Sequence, residues 1–128
     1  MADNLTDTAE NLILDWILGV GSPTRPTTSL KLALYTSAPS DSATGTEVTG
    51  GSYARQNIAF SAASGGATAN TADVNFTNMP AATVTHVAIW DSAGTPVRLW
   101  HGALTASKVT NSGDTFTVLA GELDLTIS

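Results

Sequence analysis

The passage from Thr83 to Leu104 constrains this 128-residue chain most strongly. Thr83 to Trp90 (TVTHVAIW) and Pro96 to Leu104 (PVRLWHGAL) are rich in β-branched and aromatic residues. Asp91-Ser-Ala-Gly94-Thr supplies a tight connection between them, so the two read as a hairpin. Both faces of these strands carry apolar or aromatic side chains, which belong near the middle of a packed sheet, since a strand with one wet face alternates apolar with polar. The rest of the chain must therefore cover this sheet.

Other period-two segments supply that cover. Leu30, Leu32 and Leu34 alternate with Lys31, Ala33 and Tyr35, and Ala54, Gln56, Ile58 and Phe60 alternate with Arg55, Asn57 and Ala59. A short strand at Ala72 to Phe76 turns Val74 and Phe76 inward and ends at Asn78 and Pro80. A further hairpin is expected between Lys108-Val-Thr and Thr115 to Leu119 around the Asn111-Ser-Gly-Asp114 turn. Glu122 to Ile127 closes the fold with Leu123, Leu125 and Ile127 on one side. Ser61 to Ala69 reads as a flexible turn region. Ser37 to Ser52 is a polar loop far longer than the two to five residues that usually close a hairpin. It reads as an arm whose segment from Ser40 to Ser52 would order against a neighbouring subunit.

Ahead of the strands, Ala9, Leu12, Ile13, Trp16, Ile17 and Val20 recur at three- and four-residue spacing, and Asp7, Glu10, Asn11 and Asp15 fall opposite. This predicts an amphipathic helix from Asp7 to Leu18, with Asp7 as its cap and Glu10 at the third helical position. Gly19, Gly21, Pro23 and Pro26 stop it and begin an extended linker. Leu14 and Leu18 widen the apolar stripe beyond one face, so the helix either simply covers one end of the sandwich or also makes a second contact with a neighbouring subunit. Together these elements predict an all-β fold: a single antiparallel β-sandwich, jelly-roll-like, with one N-terminal α-helix. Residues 1–29 form the helix and linker, and residues 30–128 form the sandwich.

Composition narrows the function. Hydrophobic residues make up 42% of the chain but charged ones only 12%, leaving a surface of hydroxyls and methyls that desolvates at small cost and suits lasting protein contacts. Five scattered bases, Arg25, Lys31, Arg55, Arg98 and Lys108, stand against eleven acids. They offer no cationic stripe for nucleic acid. Without cysteine there is no disulfide, thiolate site or cysteine nucleophile. Neither a targeting signal nor a membrane-spanning run is expected.

No catalytic constellation emerges. His86 and His101 lie on strands expected to pair, but two imidazoles without a third ligand make a poor zinc site, and each is expected to pack beside Trp90 or Trp100. Asp41, Glu47, Asp91 and Asp114 sit in loops without calcium-loop spacing. No serine stands in a nucleophile elbow. No cofactor is expected. Glu47 and Arg55 bracket the end of the long loop, where a salt bridge would pin its base.

Leu-Ala-Leu-Tyr-Thr-Ser-Ala-Pro at 32–39, followed by Gly-Thr-Glu-Val-Thr-Gly-Gly-Ser-Tyr-Ala-Arg-Gln at 45–56, resembles small virion proteins of tailed bacteriophages labelled as tail-fibre or head-decoration proteins. The likeness continues through Val84 to Asp91, Trp100 to Leu104 and Asn111 to Thr115. It implies a structural protein without catalysis. A cement protein stabilising the head shell as a homotrimer on the major capsid protein is the first expectation, with a tail or tail-fibre component, structural or receptor-binding, as the alternative. The expected contact residues are Leu14, Leu18, Asp41, Thr46, Glu47, Tyr53 and Arg55. A sugar-binding tip would instead use exposed rings, for which Trp90, Trp100 and Tyr53 are the candidates, but they sit within regular strands rather than at loop tips and read as core.

Overall fold

The computed structural model describes residues 5–127. Helix α1 spans Asp7–Leu18 and is followed by nine strands: β1 Lys31–Ser37, β2 Thr46–Glu47, β3 Gln56–Asn57, β4 Ala67–Ala69, β5 Val74–Met79, β6 Ala82–Trp90, β7 Arg98–Thr110, β8 Asp114–Val118 and β9 Asp124–Thr126. All pairings are antiparallel. The largest sheet runs β2-β1-β6-β7, with β3 also paired to β1, and two ribbons, β4-β9 and β5-β8, complete a β-sandwich-like, all-β architecture.

The expected central hairpin is β6-β7, and β1 pairs with the other edge of β6, setting Leu32 opposite Ile89 and Leu34 opposite Val87. These four point into the main core, where they meet Phe76, Phe116, Val118, Leu123 and Leu125 from the two ribbons. Val84 also faces inward, three residues before Val87. The register shift between Val84 and His86 explains this spacing, because a bulge moves a strand's inward positions by one residue. On the opposite face, Ala33, Tyr35 and Ala88 form a second buried cluster beside Trp90. The central sheet is thus covered on both sides.

Several sequence expectations need correction. The Asn111–Asp114 turn does not close a hairpin. Residues 108–110 stay with β6 while β8 pairs with β5, so the turn carries the chain from one sheet to the other. The strand expected from Ala54 to Phe60 contracts to β3 and a bridge between Phe60 and Asn70. Ser61 to Ala69 is not merely a flexible turn, because Ser64 and Ala67 exchange backbone hydrogen bonds across Gly65-Gly66 and launch β4. Both glycines have positive φ, the condition for a two-residue turn with the right twist. Ile127 is half exposed rather than inward.

Helix α1 begins and ends where expected, but its cap is Thr6, whose Oγ1 accepts from the Ala9 amide at 3.3 Å, and not Asp7. Thr6 has a second role that fixes it there. Its Oγ1 donates to the Arg98 carbonyl at 2.7 Å and its amide to the Leu99 carbonyl at 3.0 Å, so the start of the helix is clipped to β7. Gly19, at φ 69°, closes the other end in the left-handed conformation.

Candidate interaction surface

The long loop is tied to its own domain. β2 lies within it and pairs back onto β1, Glu47 opposite Tyr35. Beyond β2, the Glu47 carboxylate accepts from Arg55 Nη2 at 2.8 Å, from Arg55 Nε at 3.0 Å and from the Tyr53 hydroxyl at 2.8 Å. The expected Glu47–Arg55 pair is therefore present, and bidentate. Tyr53 accepts in turn from the Leu34 amide at 2.9 Å, and its ring stacks on Phe76 at 5.9 Å. The Arg55 guanidinium lies 3.8 Å over the Trp90 ring, whose Nε1 donates to Tyr35 at 3.0 Å.

The first half of the loop is held by Arg98, a residue not among the expected contacts. Its guanidinium donates to the carbonyls of Ser40, Ala43 and Thr44 at 2.5 to 3.3 Å, and the side chain is only 9% exposed. Asp41, at the exposed tip, meets His101 Nε2 at 2.7 Å. Gly45 makes the tight return possible: a Cβ there would stand 2.7 Å from the Pro39 nitrogen, and φ is already +63°. Of the expected contact residues, Glu47, Tyr53 and Arg55 thus come together as an internal network. Thr46 lies on the exposed start of β2, and Asp41 sits apart from both.

Burial pushes the Tyr53 phenol well above its ordinary value, and the neighbouring Glu47 carboxylate adds to the rise. Tyr35 is raised too, chiefly by burial. The Arg55 guanidinium is held more strongly protonated, first of all by its hydrogen bonds to Glu47. Phenols whose folded pKa is raised stabilise the fold fully below their unfolded value of about 10 and lose that contribution as pH climbs past it. Because Tyr35 and Tyr53 are the only tyrosines, an ultraviolet titration of the folded chain should show tyrosinate appearing at higher pH than in the denatured chain. In denaturant both should ionise near the ordinary value of about 10. Ionisation of either tyrosine at its ordinary value in the native protein would contradict the burial described.

Little here suits catalysis or metal binding. Among the described residues no group of three His, Asp or Glu side chains could hold a metal ion. His86 Nδ1 sits 2.8 Å from the Thr85 hydroxyl, and the Asp91 carboxylate accepts from the Val97 amide at 2.8 Å within its own turn. The three rings that were candidates for sugar stacking are engaged within the fold. Tyr53 lies on Phe76, Arg55 covers Trp90, and Trp100 packs against both the main core and the small cluster under α1.

The unpartnered surface is at α1. Ala9 is buried against Leu5 and Leu99, but the helix runs out beyond that support. Leu14, Trp16, Ile17, Leu18 and Val20 are 54 to 75% exposed. Trp16, Ile17 and Val20, placed by the sequence pattern on the covered face, are therefore uncovered, because the sheet beneath stops short of the last turns. Beside them lies an apolar groove of about 550 Å³ between the helix and the extended segment that follows, lined by Leu12, Trp16, Pro23, Pro26, Trp100 and Ile127. Large apolar side chains left exposed together on one short segment mark an interaction site more readily than single ones scattered over a surface.

The family model for podophage GP4 fiber I protein gp80 matches residues 4–126. The chain belongs to that family. It is thus a small structural protein of a tailed-phage virion, as the resemblance in its β1 and loop residues implied. The fibre description speaks for the tail-fibre alternative more than for a capsid cement. No curated protein matches the chain.

Proposed function

We propose that this chain is a non-catalytic structural subunit of the phage tail-fibre apparatus, joining copies of itself and other virion components through α1 and its groove. The observation that carries the proposal is the run of exposed apolar side chains from Leu14 to Val20 on a helix whose first turn is clipped to the domain. Clipping at Thr6 presents the helix in one orientation, as an attachment element must be presented. Leu14 and Leu18 keep the contact role expected of them. The loop residues Glu47, Tyr53 and Arg55 act instead as the brace that keeps the β-domain rigid. The engaged rings of Tyr53 and Trp90 favour this structural role over sugar binding. Gold or antibody label against the protein on intact particles is expected at the fibres in electron micrographs. Label confined to the head would overturn the assignment and restore the cement reading.

A further inference from the structure

We propose that the cleft between β7 and the turn from β8 to β9 binds one unbranched anionic amphiphile, its acyl chain lying on the core and its carboxylate meeting Lys108. The cleft holds about 310 Å³ and opens where the two layers of the sandwich come apart. β8 pairs with β5, and no ladder joins it to β7. β7 also bows away there. Val84 opposes Lys108 and His86 opposes Ala103, so Thr85 alone matches the stretch from Leu104 to Ser107 on the facing strand, and surplus residues bend a strand out of its ladder. The floor beneath this detour is the main core itself, formed by Leu32, Val87, Phe116, Val118 and Leu123. Protein interiors pack as densely as organic crystals, and an opening onto the core forfeits contacts that an apolar occupant restores.

Size and charge select the ligand. A cavity of roughly 150 Å³ takes a benzene ring, so about twice that volume suits an unbranched chain of about twelve carbons. Lys108 lies opposite the buried Val84, and directly opposed residues share a face of the sheet, so this exposed lysine stands on the core-facing side of β7 at the rim of the cleft. Among the described residues its ammonium has no hydrogen-bond or ion-pair partner. Glu122, the other charged residue of the lining, already accepts from the Leu119 amide at 3.0 Å and closes its own turn. The uncommitted charge at the mouth is therefore positive. A neutral hydrocarbon leaves it unused, and a cationic amphiphile is repelled by it. A chain anchored in a bilayer would have to leave the bilayer to reach this floor, so the ligand is a free amphiphile.

The site depends neither on α1 nor on the fibre reading. Calorimetric titration of the full chain with dodecanoate, kept below its micelle concentration, should show one amphiphile bound per chain with an association constant on the order of 10⁴ M⁻¹, the scale set by burying one acyl chain. Isotope-filtered nuclear Overhauser effects should join the methylenes of the ligand to the methyl groups of Val87, Val118 and Leu123. Lys108→Glu should weaken dodecanoate by about tenfold and make dodecyltrimethylammonium the better ligand, with unchanged circular dichroism because the side chain is exposed. Glu122→Gln should tighten dodecanoate by about twofold, since the amide oxygen can still accept from Leu119 while the like charge is gone. Absence of saturable binding overturns the proposal, as do Overhauser contacts to Leu12 and Pro26 beside α1 instead of the core, or an affinity indifferent to Lys108→Glu. A chain that floats with phosphatidylglycerol vesicles yet leaves free dodecanoate unbound overturns it as well.

Discussion

Arg98→Ala is expected to lower the stability of the fold by about 3 kcal/mol and to release residues 38–45 from the sheet. Three loop carbonyls share one guanidinium that is itself buried, and no other described side chain donates to them. Truncation leaves the Ser40 and Thr44 carbonyls unpaired or obliged to reach water by lifting the loop, while the Ala43 carbonyl keeps only the Ser40 amide, and an acceptor left unsatisfied away from water costs about 1–3 kcal/mol. Arg98→Lys should recover only part of the loss, since an ammonium lacks the planar fork that spans Ser40 and Thr44. Denaturant unfolding gives the magnitude, and amide exchange gives the place. An Arg98→Ala protein with native protection across residues 38–45 would refute this role.

Phe76→Ala should cost about 3–5 kcal/mol, the range for deleting a buried phenyl ring. Phe76 is 1% exposed and sits between Tyr53, stacked at 5.9 Å, and Phe116, edge-on at 6.2 Å. The cavity would open under the Tyr53 ring, whose hydroxyl joins Leu34 to Glu47. The damage should therefore spread from the core to the loop base. Two readouts separate the effects. The melting temperature should fall by about 10 °C or more, and the Tyr53 phenol should ionise at lower pH than in the parent, since the desolvation that raises it is relieved. A loss below about 1 kcal/mol would mean that the core recloses around the smaller side chain.

What the sequence revealed depended on how far each pattern ran. The twelve-residue helix and the nine-residue β6 carry enough periodic positions to place themselves. β2 and β3 have two residues each and no periodicity to read, and they exist because β1 offers an open edge. The Lys108–Thr110 segment was legible as strand but not in its partner, for a turn motif such as Asn-Ser-Gly-Asp does not reveal whether the chain folds back or crosses between sheets. Arg98 carried a signal that could have been used: a lone charge on a strand with both faces covered must find acceptors. The exposure of Trp16 was illegible for another reason. An amphipathic pattern tells which face of a helix is apolar, but not how far the surface beneath it extends.

The border of β1 protects the sheet against pairing with foreign strands. A bare edge running from Leu32 to Tyr35 would be a template on which any neighbouring strand could add itself, and many copies held close together would multiply that hazard. β2 and β3 occupy the two ends of that edge, and between them the Leu34 amide donates to a phenolic oxygen while the Leu34 carbonyl accepts from Val48. Tyr53 thereby stands in for the missing rung of the ladder. Sheet-to-sheet growth is closed off on this side by the chain's own loop.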